Sequence, residues 1–391
     1  MRIVDIREKA VPVRSTMRNA AFDFSEMTTS VVAVVTDVRR GGRPVVGYAF
    51  NSTGRYACGA AMRARFIPRV LSAPPEELLD AAGVIDPDKV LARMMLREKP
   101  GGDAERSIAI GTIETAIWDT VAKIAGVPLW RLLADRYNNG RHPESVPCYV
   151  GGGWYRPGED LAELKDEVRR HREAGYRMVK IKAGGAPLDQ DLRRIEATLA
   201  IVEDPANLAV DANAAMAPDT ARAYAKALAP YRLRWFEEPC GPHDLATFAE
   251  LAASYAPPLA TGENLFSVPD VQNLLRFGGF RPGRDVLQVD PPQAYGLSTF
   301  RRIVDLVEAH GCDRSCLFPH GGNMMSFAVA AGLGLGGCEA YPGVFGEFGG
   351  FADGMHVDDG ALDLPDLPGI GFEAQPRLYA VMRTLTDDLP S

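Results

Sequence analysis

Seven polar residues, Lys182, Asp211, Glu237, Glu263, Asp290, His320 and Glu339, each fall at the end of a short apolar or β-branched run, at steps of 29, 26, 26, 27, 30 and 19 residues. Three in succession, Asp211, Glu237 and Glu263, are carboxylates. Like charges on neighbouring positions repel unless a cation neutralises them. Oxygen ligands without His or Cys favour a hard ion, Mg²⁺ with Mn²⁺ as a substitute, over zinc. The competing reading is three solvated acids with separate salt-bridge partners. Glu238 adjoins Glu237 but faces the other way in an extended strand, so the 26-residue register selects Glu237 as the ligand.

Lys180 and Lys182 flank Ile181, and alternation points both lysines to one side. Two ammonium groups so placed lower each other's pKa, and burial lowers it further. A lysine in that setting acts as a base near neutral pH. His320 is followed by Gly321-Gly322, and Asp290 on the preceding run is placed to hold one ring nitrogen and fix its orientation. The other five histidines, His142, His171, His243, His310 and His356, lie in predicted loops or helices and receive no role. Removing a proton α to a carboxylate builds negative charge that a metal ion and hydrogen-bond donors must hold. Lys182 and His320 then serve as base and acid on opposite faces of the carbon.

The elements that must position these groups are eight short strands: VPCYV, MVKIK, LAVDAN, RWFEE, LATGEN, VLQVD, CLFPH and CEAYP, separated by amphipathic helices. Such alternation predicts a parallel barrel, whose strand carboxyl ends carry the chemistry. A doubly wound sheet does not gather seven strand ends around one centre. Before the barrel, RIVDI, SVVAVVTDV and RPVVGYAF read as an antiparallel sheet. The polar and aromatic stretch 14–30 between the first two reads either as a plain loop or as a lid over a site. Helical patterns then run to Leu133, with a stop at Ala125-Gly126 before Pro128. Residues 332–337 match G-x-G-x-x-G, yet they follow a helix and precede a strand, the reverse of a dinucleotide site. Close helix packing explains them, and no nicotinamide or flavin is expected.

A chain of 391 residues exceeds what one compact core accommodates, so two domains or a barrel with additions are expected. A net charge of −8 argues against nucleic acid or an anionic membrane as partner. The six cysteines are scattered, and Cys312-x3-Cys316 lacks the further ligands of a zinc site, so reduced buried thiols are expected. The opening residues carry charges throughout, unlike a secretory signal. These features predict a cytoplasmic enzyme acting on a small carboxylate.

Taken in order, AIWDTVAKIAGVPLWRLL (116–133), VKIK (179–182), VDAN (210–213), WFEEP (235–239), GEN (262–264), VD (289–290) and PHGG (319–322) resemble the mandelate racemase branch of the enolase superfamily over essentially the whole chain. The resemblance implies an α/β fold: a modified (β/α)7β TIM-type barrel over 128–345, an α+β capping domain over 1–127, and a tail, 346–391, returning to the cap. It implies Mg²⁺ on Asp211, Glu237 and Glu263, base and acid roles for Lys182 and His320 with Lys180 beside them, and Asp290 as partner to His320. It further implies Glu339 near the substrate carboxylate, Asn213 of VDAN among the substrate-binding residues, and assembly as a homo-oligomer. Within that branch FNSTGRY (50–56), EKPGG (98–102) and ATGENLFS (260–267) resemble the D-tartrate dehydratases. That likeness implies a proton taken at C2 by lysine, a C3 hydroxyl protonated by histidine, and oxaloacetate as product, with Asn51, Thr53, Arg55 and Lys99 at the substrate. Thr53 and Asp103 depart from the pattern, where it has asparagine and histidine. The expected activity is dehydration of a hydroxydicarboxylate or acid sugar, D-tartrate first. Racemisation or epimerisation of a related 2-hydroxy acid by the same pair is the alternative.

Overall fold

Strands β1 (Ile3–Pro12), β2 (Thr28–Arg40) and β3 (Arg43–Phe50) form an antiparallel sheet in sequence order. The computed structural model describes residues 1–52, 54–155 and 161–389, so Thr53 of the predicted substrate set lies outside the described residues. Residues 29–36 of β2 are buried without interruption, as expected of a Val-rich strand covered on both faces. The helix Glu105–Ala125 packs on β2 and β3. It lies so close that a Cβ on Gly47 would come within 2.0 Å of Thr120 Oγ1. That helix stops where the sequence predicts, at Gly126, whose φ of +74° a glycine adopts without steric cost.

The second sheet is the barrel. Strands β4 (Ser145–Gly152), β5 (Met178–Lys182), β6 (Leu208–Asp211), β7 (Trp235–Glu237), β8 (Leu259–Thr261) and β9 (Val286–Leu287) pair in parallel order. A bridge from Leu287 to Leu317 continues the circle. Strand β10 (Cys338–Ala340) closes it by pairing in parallel with β4. Among the described residues seven α-helices separate the eight positions, giving the (β/α)7β barrel. Inside it Tyr149, Ala209, Trp235, Ala260, Val286 and Phe318 form their own small apolar cluster.

The first two barrel strands reach or exceed the predicted length, and the later ones are shorter than the sequence suggests. Lys182, Asp211 and Glu237 are terminal strand residues, whereas Glu263, Asp290 and His320 lie in the loops just beyond. The predicted strand CLFPH shrinks to the bridge at Leu317 for two local reasons. Asp313 caps a 3₁₀ turn, Arg314–Cys316, that consumes its start, and Pro319 has no N–H to donate to a ladder.

Residues of the C-terminal segment meet both sheets. Strands β11 (Val357–Asp358) and β12 (Ala361–Asp363) form a hairpin, and β12 pairs antiparallel with β4 of the barrel. The helix Pro376–Arg383 reaches β2 of the cap, with Tyr379 edge-on to Tyr48. Gly332 packs against the Trp130 carbonyl, and Gly334 caps the helix Met324–Leu333 in the left-handed conformation, so the G-x-G-x-x-G match is a packing feature. All six cysteines are buried and unpaired. Among the described residues no helix is long and apolar enough to cross a membrane.

One buried carboxylate ties the cap helix to the barrel. Glu114 accepts hydrogen bonds from Trp118 Nε1 at 2.8 Å, Leu297 N at 2.8 Å and Ser298 N at 2.9 Å. The last two are first-turn donors of the helix Leu297–Ala309, which has no side-chain cap of its own. Glu114→Ala leaves those donors buried and unpaired, so it is expected to destabilise the protein by about 3 kcal/mol. A urea titration checks this, through a lower midpoint at unchanged slope.

Candidate active site

Strand register builds the centre. Lys182 lies opposite Asp211, and Asp211 opposite Glu237, on successive parallel strands. Glu263 joins them from the loop after β8. Ligand oxygens of Asp211, Glu237 and Glu263 all lie within 4.8 Å of one another. Three oxygens so close, without nitrogen or sulfur, suit a hard divalent cation. Asn213, held at a left-handed φ of +47°, leaves its Oδ1 buried beside this cluster with no partner among the described residues. Its Nδ2 donates to Asp211 at 3.1 Å.

Both lysines enter the barrel mouth. Lys182 Nζ donates to Asp211 Oδ2 at 2.6 Å. Lys180 Nζ lies 2.6 Å from Glu237 Oε1 and 2.7 Å from Glu339 Oε1, wholly buried. Burial works against the Lys180 charge, but the Glu237 and Glu339 carboxylates prevail and hold its pKa well above the usual lysine value. The expectation that the two ammoniums depress each other is therefore overturned for Lys180. Its neighbours are acids first and a lysine second. Burial likewise works against the Asp211 charge, and the Lys182 and Lys180 ammoniums overcome it, holding that carboxyl at about 2. For Glu237 burial prevails and, with the Asp211 charge, pushes it up to about 7.

His320 is fixed from its far side. Its Nδ1 lies 2.9 Å from Asp290 Oδ2, while Nε2 lies 3.4 Å from Glu263 Oε2 and 3.8 Å from Glu339 Oε2. Burial disfavours the imidazolium, but Glu263, Asp290 and Glu339 outweigh it and raise the ring to about 10. Glu339 is itself held at about 2, where the Lys180 and His320 charges outweigh burial.

Lys182, Asn213, Glu263 and His320 border one cavity. Asn19, Phe22 and Phe24 of the 14–30 segment form another part of its wall. This segment is pinned by an Arg18–Asp23 ion pair and by a Tyr155 N–H donated to the Arg18 carbonyl at 3.0 Å. Besides Asn213, Arg55 of the predicted substrate residues borders the cavity. Its Nη2 donates to Asn264 Oδ1, and its guanidinium lies 5.1 Å from the Phe266 ring centre. Asn264 in turn donates to both carboxyl oxygens of Glu238 at 2.8 Å. Asn51 is spent elsewhere: its amide accepts from Thr29 and Ser30 and donates to the Arg55 carbonyl, shaping the turn that carries Arg55. Lys99 is exposed and does not border the cavity. Sequence reasoning passed over Trp154 and Tyr341, both buried cavity-wall residues. The available signal was the run Gly151-Gly152-Gly153 before Trp154 at the end of the first barrel strand.

The chain is 29% identical over 352 residues to the L-talarate/galactarate dehydratase of Salmonella typhimurium, covering 88% of this chain and 81% of that protein. It is 34% identical over 277 residues to the 3,6-anhydro-alpha-L-galactonate cycloisomerase of Streptomyces coelicolor, covering 69% and 70% of the two chains. The crystal structure of a racemase from Streptomyces coelicolor with bound magnesium superposes with a TM-score of 0.76 at 27% identity, covering 96% of this chain and 99% of that one. The Enolase C-terminal domain-like family profile matches residues 163–378, more than half the chain. With the barrel, the cap and these matches together, the chain belongs to the enolase and mandelate racemase superfamily.

Proposed function

We propose that this protein is a Mg²⁺-dependent hydro-lyase that dehydrates an acid sugar or hydroxydicarboxylate. The observation that carries the reading is the convergence of Lys182 and Asp290-supported His320 on one cavity beside three clustered carboxylates. A hard divalent cation held by Asp211, Glu237 and Glu263 supplies positive charge where the substrate carboxylate gains negative charge. Lys182, in its neutral form, takes the proton from C2. The electron pair left behind expels the C3 hydroxyl, which receives a proton from His320 Nε2 and leaves as water. The enol that remains ketonises to a 2-keto acid. Asp290 keeps Nδ1 engaged, so Nε2 is the nitrogen that meets substrate. Lys180 and Glu339 lie behind this pair and fix its charge environment.

Arg55 supports a diacid. It is a cavity-wall cation with no carboxylate in ion-pair contact among the described residues. It therefore takes the second carboxylate, since Lys99, the other cation of the predicted substrate set, does not border the cavity. Dehydratases of six-carbon diacids among the relatives favour longer acid sugars alongside tartrate. The racemase match favours a second reading, in which Lys182 and His320 exchange the C2 proton from opposite faces and retain the hydroxyl.

Incubation with Mg²⁺ and a panel including D-tartrate, galactarate and aldonates, with 2-keto acids trapped by semicarbazide, tests both. Keto acid from at least one member is expected. Activity is expected to vanish with chelator and to return with Mg²⁺ or Mn²⁺. Deuterium gained from D₂O at C2 of an otherwise unchanged substrate, with no keto acid from any member, overturns dehydration in favour of epimerisation.

A further inference from the structure

We infer that the indole N–H of Trp154 is a hydrogen-bond donor to the substrate and determines which oxygen substituents are accepted beyond the reacting carbons. The inference rests on the acid-sugar reading above and adds a specificity residue to it. Trp154 is 2% exposed and borders the cavity shared by Lys182, His320 and Arg55. The glycines before it are there for space. A Cβ on Gly151 would meet the Tyr341 ring at 2.2 Å, and one on Gly153 would meet Ile181 at 2.6 Å. The run thus brings the indole close against β5, where Lys182 Nζ lies 4.6 Å from its ring centre. Phe24 of the 14–30 segment meets the same ring edge-on at 5.7 Å.

The contrast among the tryptophans carries the argument. Trp118 donates to Glu114 at 2.8 Å, Trp130 to the Pro365 carbonyl at 2.9 Å and Trp235 to Glu237 at 2.8 Å. Among the described residues, Trp154 Nε1 is buried with no hydrogen-bond partner. A buried donor left unpaired is costly and rare, and the one indole in this condition is the one at the cavity wall. Indole donates and does not accept, so its complement is an oxygen lone pair: a hydroxyl or a carboxylate. In the reading above the C1 carboxylate lies at the metal-binding carboxylates and the C3 hydroxyl at His320, so the oxygen left for the indole is one on C4 or further.

Trp154→Phe keeps a ring beneath Lys182 and against Phe24 while removing the N–H. With Mg²⁺-loaded enzyme, kcat/KM is measured on pairs of acid sugars differing only in an oxygen at C4, such as galactarate and its 4-deoxy analogue. The oxygenated-to-deoxy ratio is expected to fall about tenfold to a hundredfold in the variant. Independently, the Trp154 indole resonance of ¹⁵N-labelled wild type, identified by its loss in the variant, is expected to move downfield with bound galactarate. An unchanged ratio together with an unmoved resonance overturns the role of Trp154 while leaving the dehydratase reading intact. Failure of the wild type to bind any diacid overturns both.

Discussion

Lys182→Ala is expected to lower kcat by about 10³- to 10⁴-fold while leaving Mg²⁺ affinity within about threefold of wild type. No other amine can substitute. Lys180 is wholly buried with its Nζ between Glu237 and Glu339, and it does not border the cavity. The metal-binding carboxylates are untouched, and losing the ammonium next to Asp211 removes a competitor for that carboxylate rather than a support. Steady-state kinetics and calorimetric titration with Mg²⁺ check the two halves separately. Residual turnover above about one-hundredth of wild type would refute the assignment of the base, because general acid–base catalysis contributes at least about that factor.

His320→Asn has a different signature. With the acid gone, dehydration is expected to fall by about 10³-fold, yet Lys182 remains able to take the C2 proton and return solvent deuterium to the same face. Exchange without keto acid is the expected outcome in D₂O, read by mass spectrometry and proton NMR. Loss of exchange together with dehydration assigns the base to His320 and overturns the division of labour. The experiment is sharp because, among the described residues, His320 has acids and not Lys182 as its ion-pair neighbours: Asp290 at Nδ1, and Glu263 and Glu339 at Nε2.

What could be read in advance follows a physical divide. Asp211, Glu237 and Lys182 end strands, and a βα unit repeats at nearly constant length, so their spacing in the sequence reports their neighbourhood in space. Side-chain alternation then gives Lys180 and Lys182 the same face. Glu263, Asp290 and His320 kept the repeat although their strands end short of them, because the loop beyond a barrel strand is the next available position. Charge balance was less legible. Lys180 looked like a partner in lowering a pKa until Glu237 and Glu339 proved to be in ion-pair contact with it. The recognition wall was least legible, since it is assembled from loops with no period. Arg55 was marked by a motif alone, Lys99 by a motif that leads to solvent, and Asn51 proved to be an internal brace. Trp154 and Phe24 meet across more than a hundred residues of chain, a distance no local pattern spans.

The Glu114 link has a bearing on how such an enzyme can be re-engineered. Because a cap-side carboxylate supplies the acceptors for a barrel helix, and a Cβ on Gly296 would lie 2.1 Å from it, the seam between the two parts is closely fitted at this point. A chimera that transplants residues 1–127 from a relative to borrow its substrate range inherits a foreign seam. Grafting only the turn carrying Arg55 and the 14–30 segment leaves that seam native, and is the smaller cut with the better prospect of a folded product.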